Sequence, residues 1–444
     1  MSVNDTTNML TTKIIFGKNR HPQDQFEYRD LSKPVKTMDS EKMRFLSEAC
    51  PDMMSMTHGA AHSLLPYFPG YKYEAGVSTY RGEVVGEGGY VYAEPGIYTD
   101  VALLDIASMH PHSTIAECLF GPQYTEVFRT LVLARVYIKH EQWSKVEKIL
   151  GGILKPYVQK VKDGEITSKD LANALKTAIN SVYGLTSAGF DNAFRDLRNI
   201  DNIVAKRGAL FMVDLKHEVQ KRGFTVAHIK TDSIKIPNAT PEIIQFVMEF
   251  GKQYGYTFEH EATYERMCLV NDAVYIARYD NGEWTATGTQ FQVPYVFKTL
   301  FSHEPLVFDD FCETKSVSSA LYLDFNEGLA EDEHDYRFVG RVGQFCPIVN
   351  GANGGLLMRE KDGKYSAATG TKGYRWMESE MVKNMVIPLP DKDDDDVYDI
   401  ITDIVNGETI IDVSYYNKMV DEAIKTISEY GDFEWFVAEK GENK

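Results

Sequence analysis

Two short apolar segments of the chain each carry an aspartate to a turn, and they limit the possible folds more than any other feature. The run VALLDIA, Val101 to Ala107, is short and bounded by polar residues before it and a proline after it, which predicts a buried strand containing Asp105. The segment TVAHIKTDSIKI predicts two strands with Asp232 at the turn between them. The sequence therefore predicts a sheet whose strands deliver two carboxylates to turns.

Helical patterns alternate with these strands and indicate a mixed α+β protein. Apolar periodicity and capping residues predict helices over residues 122–151, Ser168 to Gly184, 203–222, 241–254 and 415–430. The first two, joined by the basic turn KVKDGEI, predict an antiparallel helical hairpin. The pieces TTKIIFG and STYRGEVV predict short strands near the N-terminus, and Gly-rich segments past residue 300 indicate a second lobe.

The charge of the chain is unevenly distributed. A net charge of −18 argues against nucleic-acid binding when it is averaged over the molecule. Residues 121–235, however, hold 19 Lys and Arg against 12 Asp and Glu, so the remainder carries −25. A basic middle segment can bind a polyanion locally. The five scattered cysteines indicate neither a zinc site nor a disulfide framework, and the lack of a long apolar run predicts a cytoplasmic protein without membrane contact.

The aspartates and a set of helical side chains fit phosphoryl transfer by two metal ions. That chemistry needs carboxylates from separate segments that converge on Mg²⁺ ions about 4 Å apart. The segment KTAINSVYG places Lys176, Asn180 and Tyr183 on one helix face, where they can bind a nucleoside triphosphate. Arg135 and Lys139 share a face of the preceding helix and can present two more cations. Taken singly, each pattern also fits a structural role, such as a turn-capping Asp or a solvated Lys.

Three motifs, in this order, resemble those of family B DNA polymerases of the bacteriophage kind. GEGGYVYAEPGIYTDVALLDIASMHPHSTI is similar to the stretch that runs from the Tyr-x-Gly-Gly region into motif A. LKTAINSVYG resembles motif B, Lys-x-x-x-Asn-Ser-x-Tyr-Gly, and HIKTDS resembles motif C, Tyr-x-Asp-Thr-Asp-Ser. The resemblance covers roughly residues 80–300. It implies a replicative, template-directed DNA polymerase with an antiparallel-sheet palm, two-helix fingers and a mixed thumb.

The resemblance also implies domain boundaries and ligands. They are an N-terminal region leading into the palm at residues 1–98, palm with motif A at 99–117, fingers at 118–186, palm with motif C at 187–300, and thumb with the C-terminal region at 301–444. The implied cofactor is a pair of Mg²⁺ ions, for which Mn²⁺ can substitute. The implied partners are primer–template DNA, dNTPs and a processivity factor, in the host cytoplasm if a phage encodes the chain.

Carried over residue by residue, the motifs imply the roles of individual side chains. Asp105 and Asp232 would bind the metals, assisted by the Ile106 carbonyl. Nucleotide contacts are implied for Ser108, Met109, His110, Arg135, Lys139, Lys176, Asn180 and Tyr183. The tract VNDAVYIARY lies where the family contacts the primer, which implies DNA contacts for Tyr275 and Arg278.

Three residues depart from the family pattern. His110 stands where motif A has the Tyr that excludes a 2′-hydroxyl, so ribonucleotide exclusion depends on a flat imidazole. Lys230 replaces the first Asp of motif C, while the essential second carboxylate is kept as Asp232. Asp272 stands near a usual Lys, which leaves the primer contact open.

Beyond the motifs, two Gly-rich tracts mix cations with aromatic residues. Phosphate contacts from Arg341, Lys372 and Arg375 are one interpretation, and a thumb core with surface cations is the other.

Proofreading is expected on a separate polypeptide, docked on residues 1–98. Barely 100 residues precede motif A, and the Asp-x-Glu matches at Asp39–Glu41 and Asp163–Glu165 lie in polar, turn-like stretches rather than in apolar strands. Two alternatives to a polymerase stay open. One is a non-catalytic polymerase-fold subunit that binds DNA or acts as an assembly scaffold, which Lys230 favours. The other is a non-templated nucleotidyltransferase with the same two aspartates.

Overall fold

A computed structural model describes the chain over residues 64–65, 67–74, 76–86, 88–188, 194, 199, 202–325, 333–350, 354–368, 370–371, 373–386 and 394–439. These residues divide into two compact units. Unit 1 contains the described residues up to Glu94 and Asp100–Thr263, and unit 2 contains Pro95–Thr99 and the residues from Tyr264 onward. Both combine helices with antiparallel sheets, which confirms the α+β class. Within the described ranges, no helix is long and apolar enough to cross a membrane.

Unit 1 contains two sheets. The smaller one is an antiparallel meander of β1 (Lys72–Glu74), β2 (Val77–Tyr80) and β3 (Glu83–Val85). The larger one has the order β8-β5-β7-β6-β4, formed by β4 (Val91–Ala93), β5 (Gly96–Ile106), β6 (His228–Lys230), β7 (Ser233–Ile236) and the first part of β8 (Phe258–Asn271). The strands predicted in STYRGEVV, VALLDIA and TVAHIKTDSIKI are therefore confirmed. The strand predicted in TTKIIFG lies outside the described residues.

Seven α-helices and a 3₁₀ turn are described in unit 1. They are α1 (Met109–Ala116), α2 (Gly121–Lys139), α3 (Trp143–Val146), the 3₁₀ turn Ile149–Gly152, α4 (Lys155–Lys162), α5 (Ser168–Thr186), α6 (Ile203–Lys221) and α7 (Pro241–Gln253). The predicted helices at 203–222 and 241–254 are confirmed within one residue.

The helical hairpin differs from its prediction in three respects. Its first helix ends at Lys139 rather than near residue 151, and the connection contains α4, which starts with Pro156 in its first turn and buries Val158. The N-cap of α5 is Thr167 rather than Ser168. The Thr167 hydroxyl accepts the Asp170 backbone N–H, and the Asp170 carboxylate accepts the Thr167 N–H in return. A capping box therefore decides where α5 begins.

Helices α6 and α7 cover one face of the larger sheet. Ile234 and Ile236 of β7 belong to the same core as Leu104 and Ile106 of β5, together with residues of both helices. Successive side chains of a strand point to opposite faces. Ser233 and Lys235 therefore face away from this core, as does Asp105, which pairs directly with Ser233. A second core joins α2, α4 and α5.

Unit 2 is built around a small closed sheet. Its first strands form an antiparallel meander of the end of β8, β9 (Val274–Tyr279) and β10 (Trp284–Thr287). The five-stranded sheet contains β11 (Glu313–Asp324), β12 (Tyr336–Ile348), β13 (Gly355–Lys361), β14 (Lys364–Ala367) and β15 (Arg375–Glu378). Strands β11 and β15 each pair with both β12 and β13, so four strands close into a ring.

The helical elements of unit 2 flank this ring in the chain. They are α8 (Thr289–Gln292), α9 (Pro294–Phe297), the π turn Lys298–Ser302, the 3₁₀ turn Phe308–Phe311, α10 (Ser379–Val386), α11 (Asp394–Asn406), α12 (Val413–Ser428) and α13 (Phe433–Val437). The helix predicted over 415–430 is confirmed as α12. The predicted palm, fingers and thumb boundaries stay predictions, and the division into compact units at Thr263 does not test them.

Candidate active site

Asp105 and Asp232 lie at neighbouring strand ends in unit 1. β5 and β7 pair so that Asp105 is opposite Ser233, and the Ile106 N–H donates to the Asp232 carbonyl at 2.8 Å. Asp232 belongs to the two-residue turn between β6 and β7, where its own N–H donates to the Lys230 carbonyl at 2.8 Å. The long-range pairing of β5 with β7 is what brings the two aspartates together.

The turn that carries Asp232 holds an unusual backbone conformation. Thr231 has a φ of 57°, which is rare for a β-branched residue and costs about 1–3 kcal/mol. The Thr231 N–H donates to the Tyr90 carbonyl at 3.0 Å, and a Cβ added to Gly89 would lie 3.0 Å from the Thr231 side chain. The Gly-rich segment before β4 therefore packs directly on this turn, and a side chain at Gly89 would crowd Thr231.

Burial and neighbouring carboxylates make Asp105 hard to ionise. The pKa of Asp105 is raised from 3.8 to about 7, first by burial and then by the negative charges of Asp232, Glu261 and Glu259, while Lys235 opposes the change. Burial also raises the pKa of Asp232, although His110, Lys176 and Lys235 oppose the shift. The two side chains thus form a concentration of negative charge that a cation would stabilise.

Lys235 is a cation that sequence reasoning did not identify. Its side chain is buried, and Nζ donates to Nδ1 of the buried His228 at 3.1 Å. Burial lowers the pKa of Lys235 to about 8, with Lys230 lowering it too and both aspartates raising it. It is positioned two residues along β7 from the residue opposite Asp105. No local motif marks it, because its proximity to the aspartates arises only from strand pairing.

The turn after β5 leads into α1 and contacts α2. Ser108 is the N-cap of α1 with a φ of 59°, and no side chain caps the helix. Arg135 of α2 donates from Nη1 to the Ser108 Oγ at 3.2 Å. The Met109 side chain is buried against Gly208 of α6, where an added Cβ would lie 2.4 Å from the Met109 sulfur. This packing fixes the start of α1 beside Asp105.

His110 stacks on Tyr183. The centroids of the two rings are 4.2 Å apart and their planes are inclined by 11°. Burial lowers the pKa of His110, against the opposing effect of Asp232, so the imidazole favours its neutral form. The Tyr183 hydroxyl donates to Asn202 Oδ1 at 3.0 Å. Residues of motif A and motif B, far apart in sequence, are therefore in direct contact.

Of the cations predicted to bind the triphosphate, Lys176 of α5 and Lys139 of α2 are exposed, whereas Arg135 of α2 is half-buried. Lys176 and Asn180 of α5 are both exposed, and the charge of Lys176 acts on Asp232. Lys139 forms an exposed ion pair with Glu259 at 3.8 Å. Glu259 and Glu261, both on β8, are further residues that the motifs did not indicate. Their proximity to the aspartates, like that of Lys235, arises from the position of the neighbouring strand and is not indicated by the local sequence.

The donor set fits a hard divalent cation. No group of three or more His, Cys, Asp or Glu able to hold a metal is found within the described residues. Mg²⁺, however, binds through one or two carboxylates and completes its shell with water and substrate phosphates. Asp105 and Asp232 supply two such carboxylates. Burial raises the pKa of both, and a cation bound beside them would favour their ionised forms. The Ile106 carbonyl stays a predicted ligand.

The predicted DNA contacts of unit 2 differ in exposure. Arg278 is buried, lies over the Trp284 ring, and donates to the Ala438 and Gly282 carbonyls at 3.0 and 3.3 Å. Tyr275 is half-buried on β9. Arg341 is exposed on β12, whereas Arg375 is half-buried and donates to the Gly354 carbonyl at 3.0 Å. Lys372 lies outside the described residues. The contacts of Arg278 hold it within unit 2, and its role on DNA stays a prediction.

No protein-family model matches the chain, and no curated protein sequence matches it. Among solved structures, the chain is similar to the family B DNA polymerase from the hyperthermophilic archaeon Pyrobaculum calidifontis, with 16% sequence identity and a TM-score of 0.42. The match covers 88% of this chain and 57% of that chain. The present chain therefore spans little more than half the length of that polymerase.

Proposed function

We propose that this chain is a template-directed DNA polymerase that adds deoxynucleotides to the 3′ end of a primer. The observation that carries the proposal is the convergence of residues from three ordered motifs at one site. Asp105, Asp232 and the His110–Tyr183 stack come from three separate segments of the chain and lie around one turn in unit 1. If each of these residues had only a structural role, their side chains would not need to lie close together.

Each residue of the site would have a distinct role in nucleotide transfer. Asp105 and Asp232 would hold two Mg²⁺ ions, which when bound stabilise charge on the attacking and leaving oxygens. Lys176 and Arg135 would bind the triphosphate, because a fixed cation forms charge-assisted hydrogen bonds with phosphate oxygens. His110, packed flat on Tyr183, would lie beside the sugar of the incoming nucleotide. The backbone N–H groups of Ser108 and Met109, at a helix start that no side chain caps, would be further phosphate donors.

The resemblance of the motifs supports a more specific role within the same proposal. The chain would be a bacteriophage-type replicative enzyme that acts with primer–template DNA in a host cytoplasm. Proofreading would be supplied by a separate 3′–5′ exonuclease, and a processivity factor would hold the enzyme on DNA.

Primer extension with Mg²⁺, repeated with each template base, tests the activity. We expect incorporation that follows the template. Asp105→Asn and Asp232→Asn should each reduce the rate by about 10³-fold or more, since a lost metal ligand removes several kcal/mol of transition-state stabilisation. The matched control is Lys230→Ala, in the same hairpin, which should change the rate by only a few fold. DNA binding should be retained in all three variants.

Each competing function predicts a different result in the same assay. Wild-type protein that binds DNA but never extends a primer would be a scaffold. Extension that ignores the template base would indicate a non-templated nucleotidyltransferase. Robust synthesis by the Asp232→Asn protein would refute the assignment of the metal site.

A further inference from the structure

Asn202 occupies the N-cap of α6, but its side chain does not cap that helix. An Asn at this position normally accepts a backbone N–H of the first turn. Here no side-chain cap hydrogen bond is made by Asn202, and its Oδ1 accepts the Tyr183 hydroxyl at 3.0 Å. Tyr183 belongs to the last turns of α5. The amide of Asn202 is therefore directed to the fingers helix instead of its own helix.

Asn199 takes over the capping and strengthens the same junction. Its Oδ1 accepts the Val204 N–H at 3.2 Å, and its Nδ2 donates to the Thr186 Oγ at 2.6 Å. The Thr186 hydroxyl in turn donates to the Tyr183 carbonyl at 2.6 Å. Asn199 and Thr186 are both fully buried. Two asparagines thus hold the end of α5 against the start of α6, one through the Tyr183 ring and one through its backbone.

The position of His110 depends on this junction. The Nδ1 atom of His110 is buried without a hydrogen-bond partner in the described part of the chain, so the stack on Tyr183 orients the ring. A Tyr183 ring that is tethered only by its packing would sample more orientations. Any displacement of that ring would move the imidazole that faces the nucleotide sugar.

We propose that Asn202 is a positioning residue that holds the His110–Tyr183 stack in the orientation that discriminates deoxyribose from ribose. The proposal rests on the polymerase function proposed above. Asn202 suits this role for a second reason, because its backbone has φ 56° and ψ 40°, a left-handed conformation that Asn and Gly adopt most readily. The residue type satisfies both the backbone and the side-chain requirement.

Substitution by glycine separates these two requirements. Asn202→Gly keeps the left-handed backbone and removes the amide, whereas Asn202→Asp keeps an acceptor oxygen for the Tyr183 hydroxyl. We expect Asn202→Gly to reduce the preference for dNTP over rNTP by about fivefold, the effect of one lost hydrogen bond. Tyr183→Phe should have the same effect, and the double variant should be no worse than either single one. Asn202→Asp should stay within about twofold of wild type.

A control and a second measurement make the test independent of catalysis. Asn238 also has a positive φ, 49°, and is exposed, so Asn238→Gly should change nothing. The proton resonance of the His110 ring, assigned with a His110→Gln variant, reports the ring current of Tyr183. It should shift in Asn202→Gly and not in Asn202→Asp.

The outcomes are distinguishable. A His110 resonance that is unchanged in Asn202→Gly, or that shifts equally in Asn202→Asp, overturns the proposal. Unchanged sugar discrimination in an Asn202→Gly protein that extends primers overturns it as well. Wild-type protein that does not extend primers would instead refute the proposed function, and the resonance would still decide whether Asn202 positions the stack.

Discussion

Asp105 is a single residue whose ionised form needs a neighbouring cation. The pKa of this carboxyl is raised from 3.8 to about 7, first by burial and then by three neighbouring carboxylates. An unfolded chain would ionise Asp105 near pH 4, while the folded chain without metal resists ionisation until about pH 7. Between these values the folded state binds more protons than the unfolded state. The contribution of Asp105 to stability must therefore fall as the pH rises through this window.

The first prediction follows from this decrease in stability with rising pH. In EDTA, the free energy of unfolding of the wild-type protein should decrease between about pH 4 and pH 7 relative to that of Asp105→Asn, and the difference should be constant above about pH 7. Mg²⁺ added at pH 8 should stabilise the wild-type protein and not the variant, because the metal binds only the ionised carboxylate pair. Urea unfolding at several pH values measures both effects. Equal stabilisation of the two proteins by Mg²⁺ would place the metal elsewhere.

His110 is the residue expected to select deoxyribose over ribose. If the imidazole on Tyr183 excludes a 2′-hydroxyl, His110→Ala should raise the relative incorporation of ribonucleotides by about 10- to 100-fold, the range that pocket shape alone usually provides. His110→Phe keeps a flat ring and should retain most of the discrimination. Single-nucleotide incorporation with matched rNTP and dNTP concentrations gives the ratio. Equal discrimination by His110→Ala and wild type would locate the sugar selection at another residue.

Among the secondary-structure elements, α5 has the most direct link to the proposed chemistry. Lys176→Ala should raise the KM for dNTP by about 10- to 100-fold, since a hydrogen bond between charged groups contributes roughly 1.5–3 kcal/mol. Arg135→Ala should have a smaller effect, and Lys139→Ala a smaller one again, because its exposed partner Glu259 already engages it.

A lysine on the same helix provides the control for α5. Lys169 is exposed and two turns before Lys176, so Lys169→Ala should leave the KM for dNTP unchanged. Steady-state kinetics and DNA-binding titrations on the same proteins separate the possible roles. If primer–template affinity fell in Lys176→Ala while the KM for dNTP stayed constant, α5 would contact DNA instead.

The same elements show what sequence patterns can and cannot predict. Local apolar patterns predicted β5, the β6–β7 hairpin and helices α6, α7 and α12, because each buries a continuous face that periodicity records. The predicted connection between α2 and α5 was wrong. Its lysine-rich sequence obscured α4, because this helix buries little more than Val158. Lys235, Asn202 and Glu259 were missed for another reason. Their relation to the site depends on pairings between distant segments, for which a single sequence holds no signal.

For the molecule as a whole, the candidate chemistry is concentrated in unit 1. All residues assigned to metal and nucleotide lie there, within or beside the segment that holds the excess of Lys and Arg. One Asp-x-Glu match in the described chain, Asp163-Gly164-Glu165, occupies an exposed turn directly after α4. Glu165 there pairs with Lys160 at 3.5 Å. The Asp163 carboxylate accepts a hydrogen bond from Gln159 Nε2 at 2.8 Å. Both carboxylates are solvated, unlike the buried pair at Asp105 and Asp232.

This contrast bears on the prediction that proofreading belongs to a separate polypeptide. Exonucleolytic cleavage by two metals needs converging carboxylates just as polymerisation does. We expect the purified chain, given Mg²⁺ and a mispaired primer but no dNTP, to leave the primer intact, while an added 3′–5′ exonuclease degrades it. The assay should be repeated with Asp232→Asn, so that any cleavage by the polymerase site itself is recognised by its loss. Degradation that persists in Asp232→Asn and disappears in Asp163→Asn or Glu165→Gln would show that this chain proofreads its own product and that the exposed turn holds a second metal site.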